Sequence, residues 1–393
     1  MRWDNLRLAE TPGGDQAVPL FARGAVTRTF DTPEFRGITF YEIHARSIVN
    51  RVPGASRVPF EWTINPYRGC SHACVYCFAR RTHEYLDLDS GRDFDSKIVV
   101  KVNAAELVRK ELAAPKWSRQ PVAMGTNVDC YQRAEGRYRL MPGILAALRD
   151  AANPFSILTK GSLILRDVDL LAEAADVTDV NTAVSVGFAD DDVWRSVEPG
   201  TPAPRKRLEV CATLNAHGIP CGVLMAPILP YLTDAPSALE ATVRRIAETG
   251  ATHVTPIVLH LRPGAREWFL AWLAREHPRL VPRYQELYGR GAYAPKAYQE
   301  RIAREVGALA SRYGVGRAAP RDARRAAARG GVRPGAWTDT GLAAGPAPRP
   351  QDRTGPPPQD GAGPRPGGPR ESAGGSSRER GRKPPEPEQL TLL

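Results

Sequence analysis

The sequence has few cysteines and lacks the long apolar runs that mark membrane segments. Only 6 cysteines occur in 393 residues, and no run of about 18 apolar residues is present, so we expect no membrane-spanning helix. The first residues, Met1-Arg2-Trp3-Asp4, hold no apolar stretch typical of a signal peptide. These absences predict a soluble cytoplasmic protein whose clustered cysteines serve metal or redox chemistry rather than disulfides.

The composition suits a folded core followed by a tail. Apolar residues make up 42% of the chain, enough for a sizeable core, and the net charge is +11. That charge makes a polyanionic partner plausible, although charge alone does not choose between nucleic acid and general solubility. Residues 316–393 consist largely of proline, glycine, alanine and arginine. Because so few large apolar groups remain there, we predict that this tail is disordered.

Six apolar runs alternate with helical segments between residues 58 and 315. The predicted strands are Glu61–Tyr67, Pro121–Thr126, Phe155–Thr159, Thr182–Gly187, Cys221–Ala226 and His253–Leu259. This rhythm is typical of parallel βα units, and it predicts an α/β fold, a partial (β/α)6 TIM-like barrel with ligands at the carboxyl ends of the strands. An open doubly wound sheet fits the same periodicity. Residues 1–57 are interpreted as an N-terminal extension.

Three cysteines follow the first predicted strand in the stretch Asn65-Pro66-Tyr67-Arg68-Gly69-Cys70-Ser71-His72-Ala73-Cys74-Val75-Tyr76-Cys77. Their C-x3-C-x2-C spacing lets three thiolates turn onto one inorganic centre. A 4Fe-4S cluster can take three thiolates and leave one iron open for another ligand. A structural zinc site completed by His72 or His83 is the alternative, because tetrahedral zinc needs a fourth ligand.

This motif, the βα count, and Glu198-Pro199 followed by Arg205-Lys206-Arg207-Leu208 resemble the radical S-adenosylmethionine (SAM) superfamily over about residues 56–310. The branch it resembles is the one related to spore photoproduct lyase, which repairs a thymine dimer in DNA. The resemblance implies an enzyme that binds a 4Fe-4S cluster and SAM. Such enzymes cleave SAM reductively to a 5′-deoxyadenosyl radical, which abstracts a hydrogen atom from the substrate.

The resemblance also implies roles for individual residues. Cys70, Cys74 and Cys77 hold the cluster, and the backbone of Tyr76 lies near the SAM adenine. After the second strand, Gly125-Thr126-Asn127-Val128-Asp129 stands where the family has a glycine-rich acidic motif for the SAM amino group. It departs from the Gly-Gly-Glu pattern, which puts the role of Asp129 in doubt. Ser185 is expected near the SAM ribose, and Arg207 near the SAM carboxylate.

Cys130 lies close to the position of a cysteine with which spore photoproduct lyase returns a hydrogen atom to the product radical. It is displaced by a few residues from that position, so a buried structural thiol is the alternative. Cys211 and Cys221 have apolar neighbours and are interpreted as core residues.

Partners follow from the same resemblance and from the end of the chain. The implied chemistry requires a one-electron reductant, flavodoxin- or ferredoxin-like. Gln389-Leu390-Thr391-Leu392-Leu393 resembles the short peptides that bind the bacterial sliding clamp. DNA is the favoured substrate, while a peptide, tRNA, a small metabolite, or a zinc-stabilised interaction module without catalysis remain alternatives.

Overall fold

The structure, a computed structural model, describes residues 24–52 and 58–316. Over those residues the strands are β1 Val26–Thr29, β2 Thr39–Ile43, β3 Val49–Arg51, β4 Trp62–Ile64, β5 Tyr67–Arg68, β6 Lys97–Lys101, β7 Val122–Met124, β8 Phe155–Thr159, β9 Val180–Ser185, β10 Cys221–Ile228 and β11 Val254–Val258. The α-helices are α1 Arg92–Ser96, α2 Ala104–Leu112, α3 Arg133–Tyr138, α4 Leu140–Asp150, α5 Val168–Val177, α6 Asp191–Val197, α7 Pro204–Ala216, α8 Pro236–Ala247, α9 Ala265–Glu276, α10 Val281–Leu287 and α11 Lys296–Tyr313. Short 3-10 helices span Pro33–Phe35, Phe78–Leu86, Ser162–Asp167 and Pro278–Leu280.

Six strands form one parallel sheet in the order of the chain. The sheet order is β11-β10-β9-β8-β7-β4-β3, and every pair from β4 to β11 is parallel. A doubly wound sheet reverses direction at a switch point, whereas strands added always on the same side curl into a barrel. The predicted partial (β/α)6 barrel is therefore confirmed, and β3 adds an antiparallel edge strand beside β4.

The first barrel strand is shorter than predicted. It ends at Ile64, and Tyr67–Arg68 leave the barrel to pair antiparallel with β6. Pro66 lies between the two segments and has no N–H to donate to a ladder, so a continuous strand through it is disfavoured. The prediction of one strand over Glu61–Tyr67 was wrong in its second half.

A second sheet covers residues that precede and follow the first barrel strand. Its order is β1-β2-β6-β5, with β2 parallel to β6 and β1 antiparallel to β2. β2 lies within the segment that was interpreted as an N-terminal extension. This sheet holds the start of the cysteine loop through β5.

The first and last barrel strands, β4 and β11, are connected by contacts between the segments that follow each of them. The 3-10 helix Phe78–Leu86 comes after β4, and α9 comes after β11. The Arg80 guanidinium lies 4.8 Å from the Trp268 ring of α9, and the Arg262 guanidinium lies 5.6 Å from the Phe78 ring. The carboxyl ends of the strands consequently face a mouth bordered on one side by the cysteine loop.

Within the described ranges, no helix is long and apolar enough to cross a membrane. Part of the predicted extension (residues 1–23), nearly all of the predicted tail (317–393) and the clamp-like peptide lie outside those ranges.

Candidate active site

The cysteine loop begins with a glycine that no other residue can replace without strain. Gly69 has a φ of +79°, and a Cβ placed there would lie 2.8 Å from the Lys97 carbonyl oxygen and 2.9 Å from the His83 ring. L-residues rarely adopt this φ, and the neighbouring backbone leaves no room for one. Gly69 thus turns the chain from β5 toward the mouth.

The loop is anchored from outside itself. The Cys70 N–H donates to the Phe94 carbonyl at 2.9 Å. The Gln132 side chain accepts from the Ser71 N–H and donates to the Gly69 carbonyl, both at 2.9 Å. Gln132 is fully buried, so these bonds are shielded from water and hold the loop in one conformation.

Arg80 supports the end of the loop. Its guanidinium donates to the Cys74 carbonyl at 3.2 and 3.0 Å and to both Asp95 carboxylate oxygens at 2.9 Å. It is fully buried between the Phe94 and Trp268 rings. A buried charge with this many partners is costly to disturb.

The three cysteines lie in one short loop and are free thiols. Cys70 and Cys74 are buried and Cys77 is half-buried. Burial raises the pKa of all three, that of Cys74 to about 12, and the neighbouring Cys74 and Cys77 raise the pKa of Cys70 further. Three thiols that repel one another's anions suit a strongly cationic inorganic centre, which binds cysteine as thiolate.

The two histidines proposed as zinc ligands are engaged elsewhere. His83 Nε2 lies 2.9 Å from the Lys97 carbonyl, and its ring packs edge-on against Phe94. His72 Nδ1 lies 3.4 Å from Asp129 Oδ2. In the described part of the chain, no three His, Cys, Asp or Glu side chains are grouped closely enough to hold a single ion. With both histidines engaged, the loop supplies three cysteine donors, which is the number that a 4Fe-4S cluster with one open iron takes.

The loop after β7 lies against the end of β8. Gly125 has a φ of +75°, and a Cβ there would be 1.8 Å from the Leu158 carbonyl oxygen. The loop therefore requires glycine at its first position. Two residues later, the Asn127 side-chain oxygen is buried without a hydrogen-bond partner. A buried oxygen without a hydrogen-bond donor costs free energy. The Asn127 oxygen is therefore suited to accept a hydrogen bond from a bound ligand.

Asp129 joins three strand ends. Its Oδ1 accepts from the Thr159 hydroxyl at 2.7 Å and the Tyr131 N–H at 2.9 Å, and its Oδ2 accepts from the Lys160 N–H at 2.6 Å. With His72 also 3.4 Å away, its oxygens all have partners within the protein. Asp129 thus lies beside the cysteine loop, where it fixes the positions of the groups that donate to it.

Lys160, directly after β8, was missed by the sequence reasoning. Its Nζ donates to the Ser185 hydroxyl at 2.9 Å and lies 5.8 Å from the Tyr76 ring. The ammonium also lowers the pKa of Cys74, against the larger effect of burial. A lysine at the carboxyl end of a barrel strand was the signal available in the sequence. The structure thereby brings a cation between the cysteine loop and Ser185.

A buried network lies behind Tyr76. The Tyr76 hydroxyl donates to Glu198, and Glu198 also pairs with Arg207. Arg207 further donates to the Ser185 and Pro202 carbonyls, both at 2.8 Å. Burial alone would raise the pKa of Glu198, but Arg207 and then Lys160 outweigh it, and the pKa lies below its usual range. Arg207 thus holds the backbone of the site together rather than pointing to the mouth.

Cys130 lies in the segment between β7 and α3 and is fully buried. Burial raises its pKa well above the usual value, followed by the nearby Asp129 and Glu135. The Cys70 thiol is close enough to contribute as well. The structure therefore places Cys130 near Cys70.

Comparison with known sequences gives one family. A sequence model described as Radical SAM superfamily matches residues 64–246. The chain is similar to an uncharacterized protein of Mycobacterium tuberculosis, 50% identical over 315 residues, covering 80% of this chain and 93% of the relative. It is also similar to an uncharacterized protein of Methanocaldococcus jannaschii, 29% identical over 199 residues, covering 50% of this chain and 70% of that one.

Among solved structures, the fold is similar to spore photoproduct lyase complexed with dinucleoside spore photoproduct. The TM-score is 0.53 at 15% identity, covering 73% of this chain and 84% of that one. At this identity the likeness concerns the fold alone.

Proposed function

Since this chain belongs to the radical SAM superfamily, we propose that Cys70, Cys74 and Cys77 hold a 4Fe-4S cluster whose open iron binds SAM. When bound, the cluster supplies the electron that cleaves SAM to methionine and a 5′-deoxyadenosyl radical, which abstracts hydrogen from the substrate. The observation that carries the proposal is the placement of three free cysteines in one eight-residue loop that follows the first barrel strand. The enzyme operates in the cytoplasm, where thiols stay reduced.

Asn127 is the residue we assign to the SAM amino group, together with Gly125 and Thr126. The buried, unpartnered side-chain oxygen of Asn127 is an acceptor suited to an ammonium. Gly125 lets this loop pass close to the Leu158 carbonyl of β8. Asp129 acts through Thr159 and Lys160, whose positions it fixes.

Lys160 is the residue we assign to the SAM carboxylate. Within the described part of the chain, its ammonium donates to the Ser185 hydroxyl alone, which leaves N–H donors for a carboxylate. Arg207, expected from the sequence to meet this carboxylate, supports the role indirectly through the Ser185 carbonyl. Ser185 in turn donates its hydroxyl proton to the Ala226 carbonyl at 2.9 Å, next to the expected ribose position.

Tyr76 contributes through its backbone, which we place near the adenine. Its side chain is tied to Glu198, and the preceding Val75 N–H donates to the Val197 carbonyl at 3.0 Å. Both contacts keep the backbone of this segment fixed. A fixed edge of peptide groups is suited to recognising a flat base.

Nucleic acid is the substrate class we propose. The net charge of +11 favours a polyanion, and the solved structure of similar fold holds a dinucleoside lesion. Cys130 is proposed to return a hydrogen atom to the product radical from its place near Cys70.

A flavodoxin- or ferredoxin-like protein supplies the electron, and Gln389–Leu393 is proposed to bind a sliding clamp.

Cys130→Ala tests the hydrogen-return role. The variant should still release 5′-deoxyadenosine while its product distribution shifts toward adducts of the unquenched product radical. The measurement is chromatography of the products formed from UV-irradiated DNA. An unchanged product distribution would remove Cys130 from the reaction.

The proposed function as a whole is tested by anaerobic reconstitution. The protein should bind about four irons per chain and release 5′-deoxyadenosine when SAM and dithionite are added. UV-irradiated DNA should raise that release above the uncoupled rate. A colourless protein with one zinc and no SAM cleavage would contradict the proposal.

A further inference from the structure

Two aromatic side chains remain exposed beside the cysteine loop. Phe78 directly follows Cys77 and is 38% exposed, and Tyr293 is 41% exposed. Rings of this size left in water at the edge of a reaction site commonly mark a binding surface. We call Phe78, Arg262 and Tyr293 the aromatic–arginine cluster.

Arg262 joins the two rings. Its guanidinium carbon lies 5.6 Å from the centre of the Phe78 ring, and its Nη2 donates to the Tyr293 hydroxyl at 3.1 Å. Phe78 comes from the first barrel strand's loop and Arg262 from the segment after the last barrel strand. The cluster therefore bridges the open side of the barrel next to the thiols.

Tyr293 is held from behind by His260. Their rings meet edge-on with centres 4.5 Å apart, and their backbones form an antiparallel bridge. Burial, followed by the charge of Arg262, lowers the pKa of His260 to about 4. At neutral pH His260 is an uncharged ring that fixes Tyr293 in orientation, so little side-chain entropy is lost when a ligand stacks on it.

Two arginines, Arg262 and Arg266, lie at the cluster. Among the described residues, Arg262 has no carboxylate within ion-pair distance, and the Arg266 side chain donates to the Tyr288 and Gly291 carbonyls. The nearby carboxylates are already engaged. Glu84 pairs with Arg81 at 3.4 Å, and Glu267 accepts from the Gly264 N–H at 2.6 Å.

We propose that the aromatic–arginine cluster binds unpaired bases of a single-stranded nucleic acid, with Phe78 and Tyr293 each stacking on a base and Arg262 contacting a phosphate. Aromatic rings interleaved with an unneutralised arginine are the combination that single-strand binding requires, because every base has a flat face and every linkage an anion. An acidic electron-transfer protein would be attracted by the charge but would gain little from two exposed rings. The inference rests on the proposed function and names the substrate-binding surface of that site.

The test uses the reconstituted full-length protein and a fluorescein-labelled oligothymidylate, with binding measured by anisotropy under anaerobic conditions. Phe78→Leu and Tyr293→Leu should each raise the Kd about tenfold, since stacking on one ring has roughly that effect. Tyr293→Phe keeps the ring and should bind nearly as the parent does. Tyr85→Leu is the matched control, because Tyr85 is a 49% exposed aromatic on the 3-10 helix that contains Phe78, and it should leave the Kd unchanged.

Arg262→Gln gives a second, independent readout. It should weaken binding and lower the slope of log Kd against log salt concentration by about one unit, as expected for one lost phosphate contact. An unchanged slope contradicts the phosphate contact. A Kd that is equal in the parent and in both leucine variants contradicts the stacking role.

The same preparations are assayed for release of 5′-deoxyadenosine without nucleic acid. Release by the parent together with ring-independent binding overturns this inference and leaves the proposed function intact. If oligothymidylate binding depends on the two rings but no SAM is cleaved, the result supports the aromatic–arginine cluster as a binding surface and counts against the proposed function. Leucine variants that bind oligothymidylate normally but accept electrons more slowly from flavodoxin overturn the inference and assign the surface to the reductant.

Discussion

Buried cysteines have different hydrogen-bond partners at the two ends of the partial barrel. At the amino end, Cys211 on α7 and Cys221 at the start of β10 are both fully buried. The Cys211 sulfur accepts from the Asn215 amide and the Thr249 hydroxyl, each at 3.5 Å. At the carboxyl end, the contact recorded for the Cys74 sulfur is a carbonyl at 4.0 Å.

The difference shows that burial alone does not distinguish a structural thiol from a ligand. A hydrogen bond from Cys221, aided by Thr249 and Asn215 and opposed by burial, lowers the pKa of Cys211. Burial raises the pKa of Cys70 and Cys74, with neighbouring carboxylates and thiols adding to it. The Cys211 sulfur is thus held by two side-chain donors of the protein, whereas the loop cysteines lie among carboxylates and other thiols that disfavour their anions, an effect that a bound cation would reverse.

Replacing one cysteine at each end should give the largest difference in iron binding between the two ends. Cys70→Ala should abolish iron binding and SAM cleavage, because two thiolates do not retain the cluster. Cys211→Ala should keep about four irons and lose about 1–2 kcal/mol of stability from a small cavity and lost hydrogen bonds. Iron analysis and urea unfolding measure the two effects. Equal iron loss in both variants would contradict the assignment.

Glycines at the two ends should also respond unequally. Gly125→Ala places a Cβ 1.8 Å from the Leu158 carbonyl oxygen, whereas Gly250, at a φ of +66°, has nothing within 4 Å of its Cβ position. We expect Gly125→Ala to cost about 4 kcal/mol and lower the Tm by about 10 °C. Gly250→Ala should cost about 1 kcal/mol, the strain of the positive φ alone. Similar melting temperatures for the two would show that the loop after β7 is adaptable.

Lys160 should affect the ligand rather than the fold. Lys160→Met keeps the apolar stem and removes the ammonium, so the Kd for SAM should rise about 10- to 100-fold, the value of a charge-assisted hydrogen bond. Lys206→Met is the control, because Lys206 is an exposed lysine paired with Glu209 at 3.0 Å. Calorimetry with the reconstituted protein gives both constants. An unchanged Kd for Lys160→Met would exclude the assigned carboxylate contact.

The histidines of the two ends should differ in how they couple stability to pH. Burial and then Arg262 lower the pKa of His260 to about 4, while burial alone lowers that of His253. The unfolded histidine binds a proton below about 6.5 and the folded one does not, so stability should fall as pH drops from 6.5 to 4. We expect His260→Gln to remove about 2 kcal/mol of this dependence.

The corresponding His253→Gln variant should remove less. Urea unfolding of each protein at pH 7 and at pH 4.5 measures the effect. An equal loss in the two variants would show that the Arg262 charge adds nothing to the burial of His260.

The barrel could be predicted because its strands are buried on both faces. Phe155–Thr159 and Cys221–Ala226 are nearly continuous apolar runs, which the parallel sheet requires, and both form strands. The second sheet was not predictable in this way. β6 has the sequence Lys-Ile-Val-Val-Lys and pairs with β2 from 58 residues earlier in the chain, a contact that local pattern does not encode.

The site was predictable only where a local motif carried it. Cys70, Cys74 and Cys77 lie within eight residues, so their spacing alone indicated a common centre. Lys160 belongs to no such motif, and its role depends on the register that places β8 beside β9. Arg207 was expected at the ligand because of its charge, but its partners, Glu198 and two carbonyls, are contributed by other segments of the fold.

The central claim is that three cysteines hold a cluster with one iron open to SAM. Electron paramagnetic resonance of the anaerobically reconstituted, dithionite-reduced protein tests it most directly. The account predicts the signal of a reduced 4Fe-4S cluster whose g values shift when SAM is added. A signal that SAM leaves unchanged, or a protein that binds zinc in place of iron, would contradict it.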